Sequence, residues 1–189
     1  MLKDFNKNFN VSPPIKKIKK VIPSNLANKY VLIQWEDTLQ ANTTYNFNFG
    51  NAIVDNNESN PLPYFNFAFS TGDKIDDLFV SGTVKDAMTL IKENQTAKDN
   101  KMVVGLYKAG ENLDYKQKPD YITKVDEENY FELNFLPKGE FVIIAFDDEN
   151  QNSVYDAGKE KVSFLKEKIT LDSTSVRGLK LKLYPSKKM

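Results

Sequence analysis

Tyr45-Asn46-Phe47-Asn48-Phe49 and Phe65-Asn66-Phe67-Ala68-Phe69 are the two stretches that decide the fold class. In each, aromatic residues alternate with small or polar ones, and a period of two places every ring on one face of a β-strand. Between them lies Asp55-Asn56-Asn57-Glu58-Ser59-Asn60-Pro61, a run of residues that close local turns and interrupt a strand ladder. Two strands with aromatic inner faces and a polar connection predict one layer of a β-sandwich.

The same reading extends outward in both directions. Upstream, Phe9 and Val11 lead into a Pro13-Pro14 break, and Tyr30 to Trp35 (YVLIQW) is an apolar run of strand length. Downstream, Thr71-Gly72-Asp73 breaks the alternation, which suits a boundary near Gly72–Asp76. Further strands are expected near Leu78–Val84, Met102–Tyr107, Tyr121–Val125, Tyr130–Phe135, Glu140–Phe146, Val162–Phe164, Lys168–Leu171 and Leu179–Leu183. Asp86–Lys98 is the one segment with a helical face, formed by Ala87, Leu90, Ile91 and Asn94. Many short strands separated by turn signals predict an all-β chain of two sandwich-like modules, residues 1–73 and 76–185.

Composition narrows the function. The 189 residues include 40% hydrophobic ones, enough for packed cores, and 12% aromatic ones, which suit pleated faces. Lys and Arg number 26 and Asp and Glu 26, so the chain has no surplus of positive charge for nucleic acid or anionic membrane. His and Cys are both absent. That excludes imidazole triads, thiolate nucleophiles, disulfides and thiolate zinc sites. No apolar run approaches the roughly 20 residues that cross a bilayer as a helix, so direct membrane insertion by this segment is not expected. The N-terminus, Met-Leu-Lys-Asp-Phe-Asn-Lys-Asn-Phe, has no apolar signal region, so either the protein is cytosolic or its export signal lies outside this stretch.

Leu39-Gln-Ala-Asn-Thr-Thr-Tyr45, Asn51-Ala-Ile-Val-Asp55, Asn60-Pro-Leu62 and Phe67-Ala-Phe-Ser-Thr71 occur in that order. This series resembles the S-layer-type bacterial immunoglobulin-like domain. The family's opening strand falls before Met1, so the resemblance implies an N-terminally incomplete Ig-like sandwich. Val80-Ser-Gly-Thr-Val84, Val103-Val-Gly-Leu-Tyr107, Thr123 to Phe131 and Leu136-Pro-Lys-Gly-Glu-Phe141 follow, and resemble a transthyretin-like, carboxypeptidase-regulatory-type domain. Asn129 stands where that family has a turn glycine, a tolerable exchange because Asn enters positive φ more readily than most residues. An Ig-like module followed by a transthyretin-like one is similar to cell-surface lipoproteins of Bacteroidetes-type bacteria. The implied location is extracytoplasmic, through a lipid anchor upstream. A resemblance of fold implies architecture, not activity.

The strongest hint of chemistry is Asp148-x-Asn150-x-Asn152-Ser153-Val154-x-Asp156-x-x-Lys159-Glu160. Calcium takes oxygen ligands, and side-chain oxygens at positions 1, 3, 5 and 9 with a carbonyl at 7 can wrap it. Asp148, Asn150, Asn152, Val154 and Asp156 fill those places, with Glu160 one residue beyond position 12, and Ser153 stands where the sharp turn wants Gly. The same stretch also reads as a hairpin loop whose Asp and Asn side chains close Asx turns on their own backbone. Structural calcium is the one cofactor this pattern allows.

Elsewhere the structural readings dominate. Lys16-Lys17-Ile18-Lys19-Lys20 reads as an edge strand protected by lysines. Trp35 follows an apolar segment and suits core packing better than a sugar platform. Asp76-Asp77 and Glu127-Glu128 are adjacent carboxylates, which point to opposite faces of a strand and form no dyad. Tyr107, Tyr115, Tyr121 and Tyr130 suggest a tyrosine-rich side of the second module. No enzyme is expected. A non-catalytic structural or interaction module is, with other envelope proteins or surface glycans as partners and no nucleic acid. A carbohydrate-binding accessory module and a regulatory domain of a larger surface enzyme are the alternatives.

Overall fold

The computed structural model describes residues 1–22, 30–88, 101–110 and 113–186. It is an all-β chain whose contacts divide into two compact units, Met1–Asp76 and Asp77–Met189.

In the first unit a single helical turn, α1 (Phe5–Asn8), precedes the short strand β1 (Asn10–Ser12). That turn was not apparent in the sequence. It stacks Phe5 on Phe9 with ring centroids 4.4 Å apart, a contact that alternation alone does not encode. β2 (Ile18–Ile22) and β3 (Leu32–Trp35) form an antiparallel pair. β4 (Thr44–Asn48) lies between β1 and β5 (Asn66–Ser70) in a second, three-stranded antiparallel sheet.

Register places Tyr45 opposite Phe69 and Phe47 opposite Phe67, so both aromatic sets share one face, as the period of two requires. Tyr45, Phe47, Phe49 and Ile15 are the buried centre of this core, and Trp35, Ile33 and Phe69 pack on it. Trp35 is therefore a core residue: it meets Phe47 edge-on at 5.9 Å and stacks over Phe69 at 6.4 Å. The polar 55–60 segment is a true turn, with the Asp55 carboxylate accepting the N–H groups of Asn57, Glu58 and Ser59.

The second unit holds β6 (Leu78–Asp86), β7 (Met102–Lys108), β8 (Tyr121–Lys124), β9 (Tyr130–Leu136), β10 (Gly139–Asp147), β11 (Lys161–Phe164), β12 (Ile169–Leu171) and β13 (Val176–Pro185). All eight strands expected there are present, shifted by a few residues at their ends. The expected helix is not among the described elements: Asp86 ends β6, and residues 89–98 lie outside the described residues.

The sheet order is β8-β7-β10-β11-β13-β6-β9, with β12 also on β10. All pairings are antiparallel except β13 with β6. The inward side chains of both halves make one core, with Phe131, Phe141, Leu136, Ile143 and Leu181 fully buried. Each such side chain contributes about 1.5–3 kcal/mol relative to exposure.

Two backbone positions shape this unit. Asn129, in the β8–β9 turn, has φ +64°, the conformation its place in the turn called for. Gly82 faces β13 where that strand bulges between Val176 and Leu179. A Cβ at Gly82 would sit 2.2 Å from the Leu179 carbonyl oxygen, so only glycine allows the close approach.

Candidate functional site

The connection from β10 to β11 holds every residue singled out for calcium, and its hydrogen bonds show how the loop is held. Asp148 accepts the N–H of Asn152 at Oδ1 and that of Ser153 at Oδ2, each at 3.0 Å. Asn150 Oδ1 also accepts from Asn152 N, and Asn152 Oδ1 from Val154 N at 2.7 Å. The Asn150 amide donates to Asp156 Oδ2 at 2.8 Å. Glu160 closes the far side, taking Glu149 N on Oε1 and Asp156 N on Oε2. Each of these oxygens thus holds an N–H of the loop itself, and Asn150 and Asn152, each accepting the N–H two residues on, close Asx turns.

Ser153 has φ +62° and Gln151 φ +58°, so Ser153 does adopt the left-handed conformation usually left to Gly at that position. Asp148 and Glu160 are buried. Desolvation pushes both carboxyls above their ordinary range, against the lowering effect of the N–H donors. Among the described residues no group of three or more acidic side chains gathers at metal-binding distance. What the arrangement does chemically is stiffen a long hairpin from inside.

The loop is also pinned from outside, through a residue that reading its oxygens overlooked. Tyr155 packs on Phe146 of β10 and on Phe164 of β11, with ring centroids 6.0 Å away in both cases. Phe164 in turn meets Tyr115 at 5.1 Å, and Tyr115 meets Tyr107 at 5.3 Å. The result is a second apolar cluster containing Val103, Ile122 and Ile144 as well. An aromatic residue in the middle of a polar loop was the signal available in the sequence.

The four tyrosines expected on one side do not stay together. Tyr107 and Tyr115 join this cluster, Tyr121 is buried in the main core against Phe141, and Tyr130 is exposed on β9, donating to Glu132. Burial pushes the Tyr107 phenol well above its usual range, and its hydroxyl donates to the Gln117 carbonyl. The Tyr115–Phe164 and Tyr155–Phe164 pairs are near-perpendicular, at 70° and 83°, so these three rings do not form a flat platform.

The acidic pairs are ordinary surface features. Glu127 and Glu128 are exposed in the β8–β9 turn, and the Asp76 backbone N–H donates to Thr44 Oγ1. β2 carries lysines 19 and 20, with Lys16 and Lys17 just before it. Lys19 pairs with Glu36 beyond the end of β3.

The most uneven feature is in the first unit. Phe47 and Phe67 are cross-strand partners on the same face, yet Phe47 is 5% exposed and Phe67 53%. Leu62, Tyr64 and Phe65, just before β5, are exposed too. Among the described residues, the core of this unit is sealed over β4 and open along β5.

Residues 3–71 match the family model of the bacterial Ig-like domain. No curated protein and no solved structure matches the chain. No helix among the described residues is long and apolar enough to cross a membrane.

Proposed function

We propose, from the premise that residues 3–71 form a bacterial Ig-like domain, that the chain is a non-catalytic structural or interaction module of a bacterial surface protein. The observation that carries this reading is the family match itself. Bacterial Ig-like domains occur in surface proteins and are generally non-enzymatic. The absence of His and Cys from the sequence agrees, because it removes the commonest general base and the thiolate nucleophile.

In its finer form the proposal has an S-layer-type first domain, a transthyretin-like second domain over 76–185, and a lipid anchor upstream in a Bacteroidetes-type cell envelope. Other envelope proteins are its partners. The β10–β11 loop is a brace that closes through its own N–H groups, to which calcium adds a minor clip at most. Protease shaving of intact cells, read with an antibody to this segment, tests the location. Loss of the signal from whole cells is expected, and survival until lysis overturns the reading. Fatty-acid labelling of the native protein tests the anchor.

A further inference from the structure

We infer that β5 is a docking edge for a second copy of this chain, pairing antiparallel with its own equivalent about Ala68. The inference goes beyond the functional reading above and does not depend on where the protein resides. It stands on the ladder phase, the charge pattern and the exposure of one strand.

The ladder phase fixes which backbone groups are free. Phe49 N donates to Phe65 O and Thr71 N to Thr43 O. With Phe47 opposite Phe67 and Tyr45 opposite Phe69, the odd-numbered residues of β5 bond to β4. In an antiparallel ladder the alternate residues then turn their N–H and C=O groups the other way. Asn66, Ala68 and Ser70 therefore point theirs at the outer edge, where no strand lies among the described residues.

The other edges carry the devices that keep strands apart. β1 runs directly into Pro13-Pro14, which have no N–H to offer. β2 is lysine-rich, β8 carries Lys124 and β9 carries Glu132. The three-residue β12, paired with β10 alone, is uncharged itself but lies directly between Lys168 and Asp172. β5, Asn66-Phe-Ala-Phe-Ser70, has no charge and no proline. β3 is also uncharged, but it runs straight into Glu36 and Asp37.

Self-complementarity selects the occupant. Phe65-Asn-Phe-Ala-Phe-Ser-Thr71 is close to a palindrome about Ala68. Two copies paired there set Ala68 against Ala68, Asn66 against Ser70, and Phe67 against Phe69. The outward N–H and C=O groups of Asn66, Ala68 and Ser70 all find partners. No like charges meet, and the exposed Phe67 gains an aromatic neighbour on the core side of a sheet continuous through both copies. Such an isologous contact closes as a two-fold dimer and does not propagate. A β2–β2 contact would instead bring lysines against their own copies.

The test uses the full chain, which has no cysteine of its own. Sedimentation across a concentration series is expected to show monomer passing to twice 21.6 kDa. Phe67→Lys, at an exposed position, is expected to weaken that step by at least ~30-fold, the range of an interface hot spot. Ala68→Cys is expected to give a disulfide-linked dimer on mild oxidation, since directly opposed residues of a bonded pair lie about 5.5 Å apart at Cα. Lys17→Cys, on the lysine-guarded side, provides the background rate. A monomer at every concentration overturns the inference. So does association that survives Phe67→Lys, or cross-linking of Ala68→Cys no faster than that of Lys17→Cys.

Discussion

The two units solve the same problem, closing a β-core, to different degrees. In the second, the sheet runs continuously from β8 to β9, every described strand but those two and the short β12 has neighbours on both sides, and aromatic residues such as Phe131, Phe141 and Phe146 are out of solvent. In the first, among the described residues three strands face two, and the aromatic face of β5 reaches past its cover. Alternation of Phe with small residues identifies a strand and its face, but not whether another layer arrives to cover it. That depends on how many strands the opposing sheet has.

Substitutions of like residues in the two units sharpen this contrast. Phe131→Ala, in the closed core, should cost about 3–5 kcal/mol in denaturant unfolding of the second unit. Gly82→Ala should cost about 1–3 kcal/mol there, because the new methyl meets the Leu179 carbonyl and one of the strands has to shift. Phe67→Ala, on the open face of the first unit, should change the stability of the dilute monomer by less than about 0.5 kcal/mol. A cost for Phe67→Ala near that of Phe131→Ala would mean that β5 is covered after all, and the contrast would fail.

The β10–β11 loop offers two smaller tests inside the second unit. Asp147, Asp148 and Glu160 are all held above the ordinary carboxylate range, chiefly by burial. Their folded state therefore binds protons more readily than the unfolded chain, and charging them opposes folding. That penalty is present above the folded-state values and is relieved as pH falls through them. The loop's contribution to stability should accordingly rise modestly from neutral pH into the carboxylate range. Asp148→Asn with Glu160→Gln should flatten that rise in a thermal melt.

Calcium should do less. Even at ten times a millimolar-range Kd it would add only about 1.4 kcal/mol. Asp156→Ala should remove any such gain, whereas Asp126→Ala, in the β8–β9 turn, should leave it. Superimposable melts in calcium and in chelator would leave the hydrogen-bonded brace alone.

Strand positions were legible because period-two alternation and turn residues report directly on backbone geometry. Tyr45 through Phe69 and the strands of the second unit were read in this way, whereas the Asn129 turn came from the likeness to a transthyretin-type domain. The α1 turn was not, because four residues carry too little periodicity and Phe5 is placed there by stacking on Phe9. The four tyrosines misled because they lie on different strands or loops, and sequence spacing does not relate the faces of separate strands. The loop oxygens were legible as oxygens. Whether they would turn to a cation or to their own N–H groups depends on loop conformation, down to the φ of Ser153. The open edge at β5 had a signal in plain view, the lack of any charge between Pro63 and Asp73. It gained meaning only once pairing showed that β5 is an edge.

Residue-resolved amide exchange, followed across a concentration series, tests the contrast between the closed and the open unit most directly. The interior amides of β10, paired on both sides, should exchange slowest of all and do so independently of concentration. The amides of Ala68 and Ser70 should exchange freely in dilute solution and become protected as concentration rises, while Phe67 and Phe69, bonded to β4, change less. Ala68 and Ser70 as protected in dilute solution as β10, or unprotected at every concentration, would contradict the account.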